Sequence, residues 1–301
     1  MNKSGLLNIT LVIACRNEMP QHLPKWDCPV MIVDDHSDNS QFTIYNSQLG
    51  ACKNVKVVSN PYPQGKKYAL KYGIEQAETE FVYLTDADTI LPKEIPPFHT
   101  DADLNILPLQ MDAQNSLLGQ LQQVEYTTLQ TATMYSAKKG KPIMCSGANL
   151  IVRRARWLEC FNDLHTELPS GDDMFLLQAF KQKNLIIKAI HGDGSIATIT
   201  AKSSLKKLLK QRMRWAGKTP QLTDPDIRKC GILVGTLNIL SILVPPIWLL
   251  KFAGEMLLWH RRKQFGFNCK AKWYVLLLLS ILYPWYMLIC IVGGQINKQQ
   301  W

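Results

Sequence analysis

Four short polar signatures follow one another along the 301-residue sequence: VDDHS with Asp34 and Asp35, DAD with Asp86 and Asp88, GDD with Asp172 and Asp173, and QRMRW with Gln211, Arg214 and Trp215. The DAD pair follows an apolar run. Residues i and i+2 of an extended segment project to one side, so Asp86 and Asp88 could face one ion. Carboxylate oxygens suit hard cations, and Mg²⁺ takes only one or two of them while phosphate oxygens complete its shell. The same pair also suits turn capping after a strand. Asp34 and Asp35 could accept hydrogen bonds from a base or a ribose, or close an Asx-type turn feeding a helix at Ser37–Ser40; His36 reads as a turn residue. In GDD, Asp172 could cap a helix while Asp173 takes a proton from an attacking hydroxyl. Arg214 could neutralise a departing diphosphate, and Trp215 offers a flat face for a sugar ring or a lipid boundary. Lys66 or Lys67, in GKK, could approach a phosphate from a helix start. No P-loop, GxGxxG, HExxH or GxSxG motif is present.

The elements needed to position these groups are legible. Asn8–Cys15, Val30–Val33, Val55–Val58 and Phe81–Leu84 are short β-branched or aromatic runs, read as buried strands. Lys66–Ala77 reads as a helix with Ala69, Leu70, Gly73, Ile74 and Ala77 on one face. Leu117–Ala137 and Asp172–Lys181 read as further helices, and Ser146–Val152 as a turn entering a strand. Strands alternating with helices predict an α/β, Rossmann-like, mostly parallel sheet, with ligands beyond the carboxyl ends of the strands. Both early acidic motifs fall there.

The later sequence changes character. Ser203–Trp215 is amphipathic, with Leu205, Leu208, Leu209 and Met213 on one face. Lys202–Lys218 carries Lys202, Lys206, Lys207, Lys210, Arg212, Arg214 and Lys218 without an acid, within a net charge of +10. Beside a greasy segment this pattern fits a helix on an anionic membrane surface, each cation contributing roughly 1 kcal/mol; a solvated basic face has the same composition. No nucleic-acid signature accompanies the charge, so no nucleic-acid partner is expected. Trp273–Val292 is uncharged and long enough to span a bilayer. Gly231–Leu250 is uncharged but broken at Pro245–Pro246. It could cross once, or turn at the prolines and return. The cations of His260–Lys272 and Arg228–Lys229 favour the return. The Gly231/Gly235 spacing resembles a helix-packing pattern, but chance explains it as well. Eight scattered cysteines lack metal spacing and suit a reducing compartment. No secretory signal is visible at the start.

Taken together, ITLVIACRNE, VDDHS, GKKYAL, YLTDAD, SGANLIVRR, SGDDMFLL and QRMRW resemble glycosyltransferase family 2 in its membrane-bound branch, from about Ile9 to Trp215. GDDMFLLQAF is more similar to the ceramide-glucosyltransferase-like members than to the cellulose synthases. The resemblance implies a GT-A fold, followed by C-terminal interfacial and transmembrane helices. It implies a nucleotide-sugar donor, most often a UDP-sugar, Mg²⁺ or Mn²⁺, and inversion at the anomeric carbon. Carried over, Asp34 or Asp35 would contact the nucleoside. Asp86 and Asp88 would serve the diphosphate–metal unit, with Asp88 the direct ligand. Asp173 would be the base, Gly147 and Asn149 would line the sugar pocket, and Gln211, Arg214 and Trp215 would close over the donor. The expected organisation is a catalytic domain over 1–200, an interfacial region over 201–230 and a membrane region over 231–301. The catalytic part would lie at the cytoplasmic face of the cell membrane and act on a lipid or glycan acceptor. The short loop after Asn17–Glu18 and the few hydrophobic segments favour single transfer over processive synthesis. A nucleotidyltransferase, or a non-catalytic nucleotide-sugar-binding membrane protein, would share much of the acidic pattern.

Overall fold

The computed structural model describes residues 8–20, 22–38 and 54–296. Cys52 and the second half of Ser37–Ser40 lie outside them. Two compact units divide the chain: residues 1–107 with 145–190, and residues 108–144 with 191–301.

The first unit is built on a seven-stranded sheet. Its strands are β1 (Ile9–Cys15), β2 (Val30–Asp34), β3 (Val55–Ser59), β4 (Phe81–Asp86), β5 (Leu104–Ile106), β7 (Leu150–Arg153) and β8 (Ile187–Ala189), in the spatial order β3-β2-β1-β4-β7-β5-β8. β1 pairs in parallel with β2 and β4, β2 with β3, and β5 with β8. Only β7 runs antiparallel to its neighbours β4 and β5. The sheet is therefore mostly parallel, as the alternation of strands and helices predicts. β1 and β2 are almost wholly buried, which is why their sequences are continuous apolar runs. Leu11 and Ile13 point to one face, into a core with Trp26, Ile32, Tyr83 and Ile151. Helix α1 (Lys66–Gln76) covers the other face and buries Ala69, Leu70, Gly73 and Ile74, the predicted stripe. A methyl on Gly73 would stand 2.7 Å from side-chain carbons of Val12 and Val33; only glycine allows this helix so close to the sheet. Helices α3 (Arg154–Glu159) and α4 (Asp172–Gln182) also belong to this unit.

Among the described residues the second unit contains the parallel pair β6 (Leu109–Asp112) and β9 (Ala197–Thr200) and five α-helices. These are α2 (Leu117–Lys138), α5 (Leu205–Gly217), α6 (Pro225–Leu243), α7 (Pro245–Arg261) and α8 (Trp273–Ile296). α2 belongs here, and not with the sheet that precedes it, because Leu121 and Val124 pack with Trp259, Ala271, Val275 and Leu276. Its buried glutamines satisfy backbone groups. Gln122 accepts from the Lys202 N–H at 2.9 Å and donates to the Lys202 carbonyl at 2.9 Å, and Gln123 donates to the Met111 carbonyl at 2.8 Å.

Three features of this unit bear on the sequence reading, and the first agrees with it. The uncharged run Gly231–Leu250 is two helices, α6 ending at Leu243 and α7 starting at Pro245, because Pro245 and Pro246 remove the N–H groups that would continue the ladder. Leu205 is exposed, while Leu208 and Arg212 are the buried residues of α5. And α5 does not offer its apolar face to lipid alone: it packs on α8, where methyls on Gly293 and Gly294 would fall 2.6 Å from the Met213 side chain and 2.5 Å from its carbonyl oxygen. Among the described residues, nothing lies within 4 Å of a methyl placed on Gly231 or Gly235. Among the described residues only α8 is long and apolar enough to cross a membrane.

Candidate active site

The carboxyl ends of the central strands gather the acidic motifs of the first unit around Lys66. Asp86 is the last residue of β4. Beyond it the chain turns, the Thr89 N–H donating to the Asp86 carbonyl at 3.2 Å. DAD is thus a strand end plus a turn and not an extended segment, so the same-side argument for Asp86 and Asp88 does not hold as stated. Asp88 is exposed at this turn. Lys66 opens α1, and its Nζ lies 2.6 Å from Asp86 Oδ1 and 3.0 Å from Asp172 Oδ2. One ammonium therefore joins the DAD and GDD loops. Burial alone would lower the Lys66 pKa, but the Asp172 and Asp86 carboxylates overcome it and raise it above the ordinary lysine value.

Lys66 is held by the VDDHS loop. The Asp35 carboxylate accepts the Gly65 N–H at 2.9 and 3.0 Å and the Asn60 amide at 2.9 Å. Asp34 accepts both the Ser37 N–H, at 3.3 Å, and its hydroxyl, a local closure of the kind read as one of two alternatives for this motif. His36 has φ 57° and hydrogen-bonds through its ring to the Tyr62 carbonyl, a turn residue. Lys67 points elsewhere and donates to the carbonyls of His165 and Leu168 at 2.6 and 2.8 Å, bracing the loop before GDD.

Gly171, with φ 89°, caps α4. Asp172 is therefore not the cap: it is the first helical residue, and its side chain turns to Lys66. Asp173 Oδ1 accepts from the Met174 N–H at 2.7 Å, and Oδ2 from the Gly147 N–H at 3.3 Å. These donors fix the carboxylate and aim it beside Asp172. A methyl on Gly147 would stand 2.9 Å from Asp172 Oδ2 and 3.4 Å from Lys66 Nζ, so glycine is the residue that lets the 146–149 loop touch the cluster. Asn149 is fully buried and accepts the Tyr83 hydroxyl, while Thr85 donates to the Ala148 carbonyl at 2.9 Å. The Asn149 side chain supports this loop from below. Desolvation also raises the Tyr83 pKa, leaving its hydroxyl a donor.

In the second unit, Gln211 and Trp215 converge on a residue the sequence reading did not assign. Arg212 is buried and donates to Glu125 Oε2 at 2.8 Å and to Gln211 Oε1 at 3.1 Å. Its guanidinium lies 4.1 Å from the Trp215 ring centroid. Arg214 is half-buried on the same helix. The signal for Arg212 was present: it follows the buried Leu208 by one helical turn, a cation inside the apolar stripe. Asp172 was likewise assigned to the wrong task, since motif spacing does not say which carboxylate meets Lys66.

Carboxylate oxygens at Asp86 and Asp88 are donors of the kind a hard cation takes, and Asp86 Oδ1 here meets the Lys66 ammonium at 2.6 Å. Asp86 and Asp88 offer oxygens at the sheet rim, and among the described residues no group of three His, Cys, Asp or Glu side chains gathers into a closed cage. Asp88 and Asp86 are the residues that would hold a divalent cation at this rim, a diphosphate supplying its further oxygens.

Residues 30–218, more than half of the chain, match the family described as "Glycosyltransferase like family 2". The chain belongs to that family; it is a glycosyltransferase. It is similar to a protein named poly-beta-1,6-N-acetyl-D-glucosamine synthase from Staphylococcus epidermidis, 31% identical over 108 residues, 33% of this chain and 26% of the relative. A protein of the same name from Staphylococcus aureus (strain COL) is 29% identical over 147 residues, 43% of this chain and 35% of the relative. The chain thus spans about a quarter to a third of the length of these relatives. Among solved structures it resembles the mannosyltransferase PcManGT from Pyrobaculum calidifontis, in complex with GDP-Man and Mn²⁺, with a TM-score of 0.56 at 12% identity, covering 97% of this chain and 87% of that one. The fold is therefore of the GT-A type.

Proposed function

We propose that the protein is an inverting, metal-dependent glycosyltransferase that moves one sugar from a nucleotide-sugar, a UDP-sugar first, to a hydroxyl of a lipid or glycan acceptor at the cytoplasmic face of the cell membrane. The observation that carries this reading is the convergence of DAD and GDD on one ammonium, with Asp173 fixed beside them. A bound Mg²⁺ or Mn²⁺ would act as Lewis acid toward the leaving diphosphate, held by Asp88 and Asp86. Asp173 accepts the proton of the acceptor hydroxyl as its oxygen attacks the anomeric carbon. The bond from that carbon to the nucleoside diphosphate breaks on the opposite face. Lys66 and Arg214 supply positive charge where the diphosphate gains negative charge, and Gln211 and Trp215 cover the donor. Asp34 and Asp35 shape the nucleoside end, Asp35 also through its hold on Gly65.

Membrane attachment is supported by α8, 24 residues with exposed Trp273, Ile281, Trp285 and Ile289. Further support comes from the exposed Lys206, Lys207 and Lys210 on α5. The names of the curated relatives make N-acetylglucosamine the first sugar to try. The resemblance of GDDMFLLQAF to the ceramide-glucosyltransferase-like members favours a lipid-directed transfer.

The test is incubation of membranes containing the protein with radiolabelled nucleotide sugars, with and without chelator, followed by lipid extraction. Divalent-ion-dependent label in the lipid or glycan fraction, with release of nucleoside diphosphate, is expected. Pyrophosphate release would select a nucleotidyltransferase. Donor binding without turnover over many acceptors would select a non-catalytic binder.

A further inference from the structure

The QRMRW motif owes its shape to its second residue. Arg212 is 7% exposed and its ion-pair partner Glu125, on α2, is 12% exposed. The guanidinium makes three kinds of contact at once. Nε lies 3.3 Å from both Glu125 oxygens and one terminal nitrogen lies 2.8 Å from Oε2. The other terminal nitrogen donates to Gln211 Oε1 at 3.1 Å. Its central carbon lies over the Trp215 ring, 4.1 Å from the centroid. Neighbouring helical positions do not face each other; the Arg212 guanidinium nevertheless ties Gln211 and Trp215 to one rigid group, itself anchored on a different helix.

We infer that Arg212, clamped by Glu125, is a positioning residue that sets the orientation of Gln211 and Trp215 for covering the donor. The inference rests on the proposed donor-covering role of those two side chains. A planar fork is required: lysine carries the same charge but cannot pair with Glu125, hold Gln211 and lie on an indole with one group. Glu125 acts through Arg212 and need not touch substrate.

Two variants of the full-length protein in detergent test this. Arg212→Lys keeps a cation against Glu125. The double variant Glu125→Gln with Arg212→Gln removes both charges and leaves neither unpaired. Each is assayed for thermal midpoint, for binding of UDP and of GDP with Mn²⁺ by calorimetry, and for kcat and the KM of donor and of acceptor. The expected result is a donor KM and nucleotide Kd raised about tenfold, an acceptor KM unchanged and a parental thermal midpoint for Arg212→Lys, because orientation and not charge is lost. Parental donor KM and Kd in both variants, or a fall in thermal midpoint alone, overturns the inference while leaving the proposed function standing. If the unaltered protein binds neither nucleotide, the proposed function fails and this inference fails with it.

Discussion

The chain holds two motif-centred ion networks, and they differ in depth. In the first unit Lys66, 31% exposed, bridges Asp86 and Asp172. In the second, Arg212 is sealed against Glu125 at 7% exposure. A partly solvated ammonium can release one carboxylate and turn to a phosphate at modest cost, since surface ion pairs contribute roughly 0–1 kcal/mol. A buried guanidinium cannot leave its partner without stranding a charge. The shallow network is suited to change partners during a reaction; the deep one is suited to keep a shape.

That contrast can be broken or sharpened in order of expected effect. If the shallow network is the reacting one, Asp173→Asn lowers kcat about 10²–10⁴-fold while donor KM changes little, read by steady-state transfer; near-parental turnover would remove Asp173 as the base. If the deep network is structural, Arg212→Ala with Glu125 intact destabilises the protein by about 3–5 kcal/mol in denaturant unfolding. Gly147→Ala forces Asp172 or Lys66 to move, since its methyl would fall 2.9 Å from Asp172 Oδ2; a loss of about tenfold in kcat/KM is expected with little change in stability.

Lys66→Met is expected to destabilise by no more than about 1 kcal/mol, because the pair is partly solvated. The sign of its pH dependence follows from the raised Lys66 pKa. The unfolded lysine loses its proton first, so the stabilisation is fully present below about pH 10.4 and fades as pH rises toward the higher folded value. Thermal midpoints of parent and Lys66→Met should therefore differ by a constant amount from pH 6 to 9; a gap that closes within that window contradicts the assignment. A reporter placed near Phe265 should be cytosolic if α6 and α7 turn back at Pro245; periplasmic labelling there would show a single crossing.

The sequence made the first unit legible where one physical pattern dominated. β1, β2 and β4 are buried on both faces and read as apolar runs, and the stripe from Ala69 to Ile74 is the buried face of α1. β5 and β8 escaped because three residues carry too little pattern to register. The acidic motifs were found, but partner choice was not, because Asp172 meets Lys66 only after Gly171 turns the chain and Gly147 lets the neighbouring loop approach. In the second unit, α2 was seen as a helix, yet its membership with the C-terminal helices depends on Val124 packing against residues more than a hundred positions away. Arg212, read with the basic face of α5, is buried instead because a guanidinium paired with Glu125 is cheaper to bury than hydropathy alone implies.

The proposed function requires a divalent cation held at Asp88 or Asp86, beside Lys66 and Asp173. Anomalous diffraction at the manganese edge, from crystals grown with Mn²⁺ and the nucleoside diphosphate that the transfer assay selects, tests it most directly. The account predicts a manganese peak ligated by Asp88 or Asp86 and by the diphosphate. Nucleotide bound with no such peak, or with manganese on other residues, would contradict it.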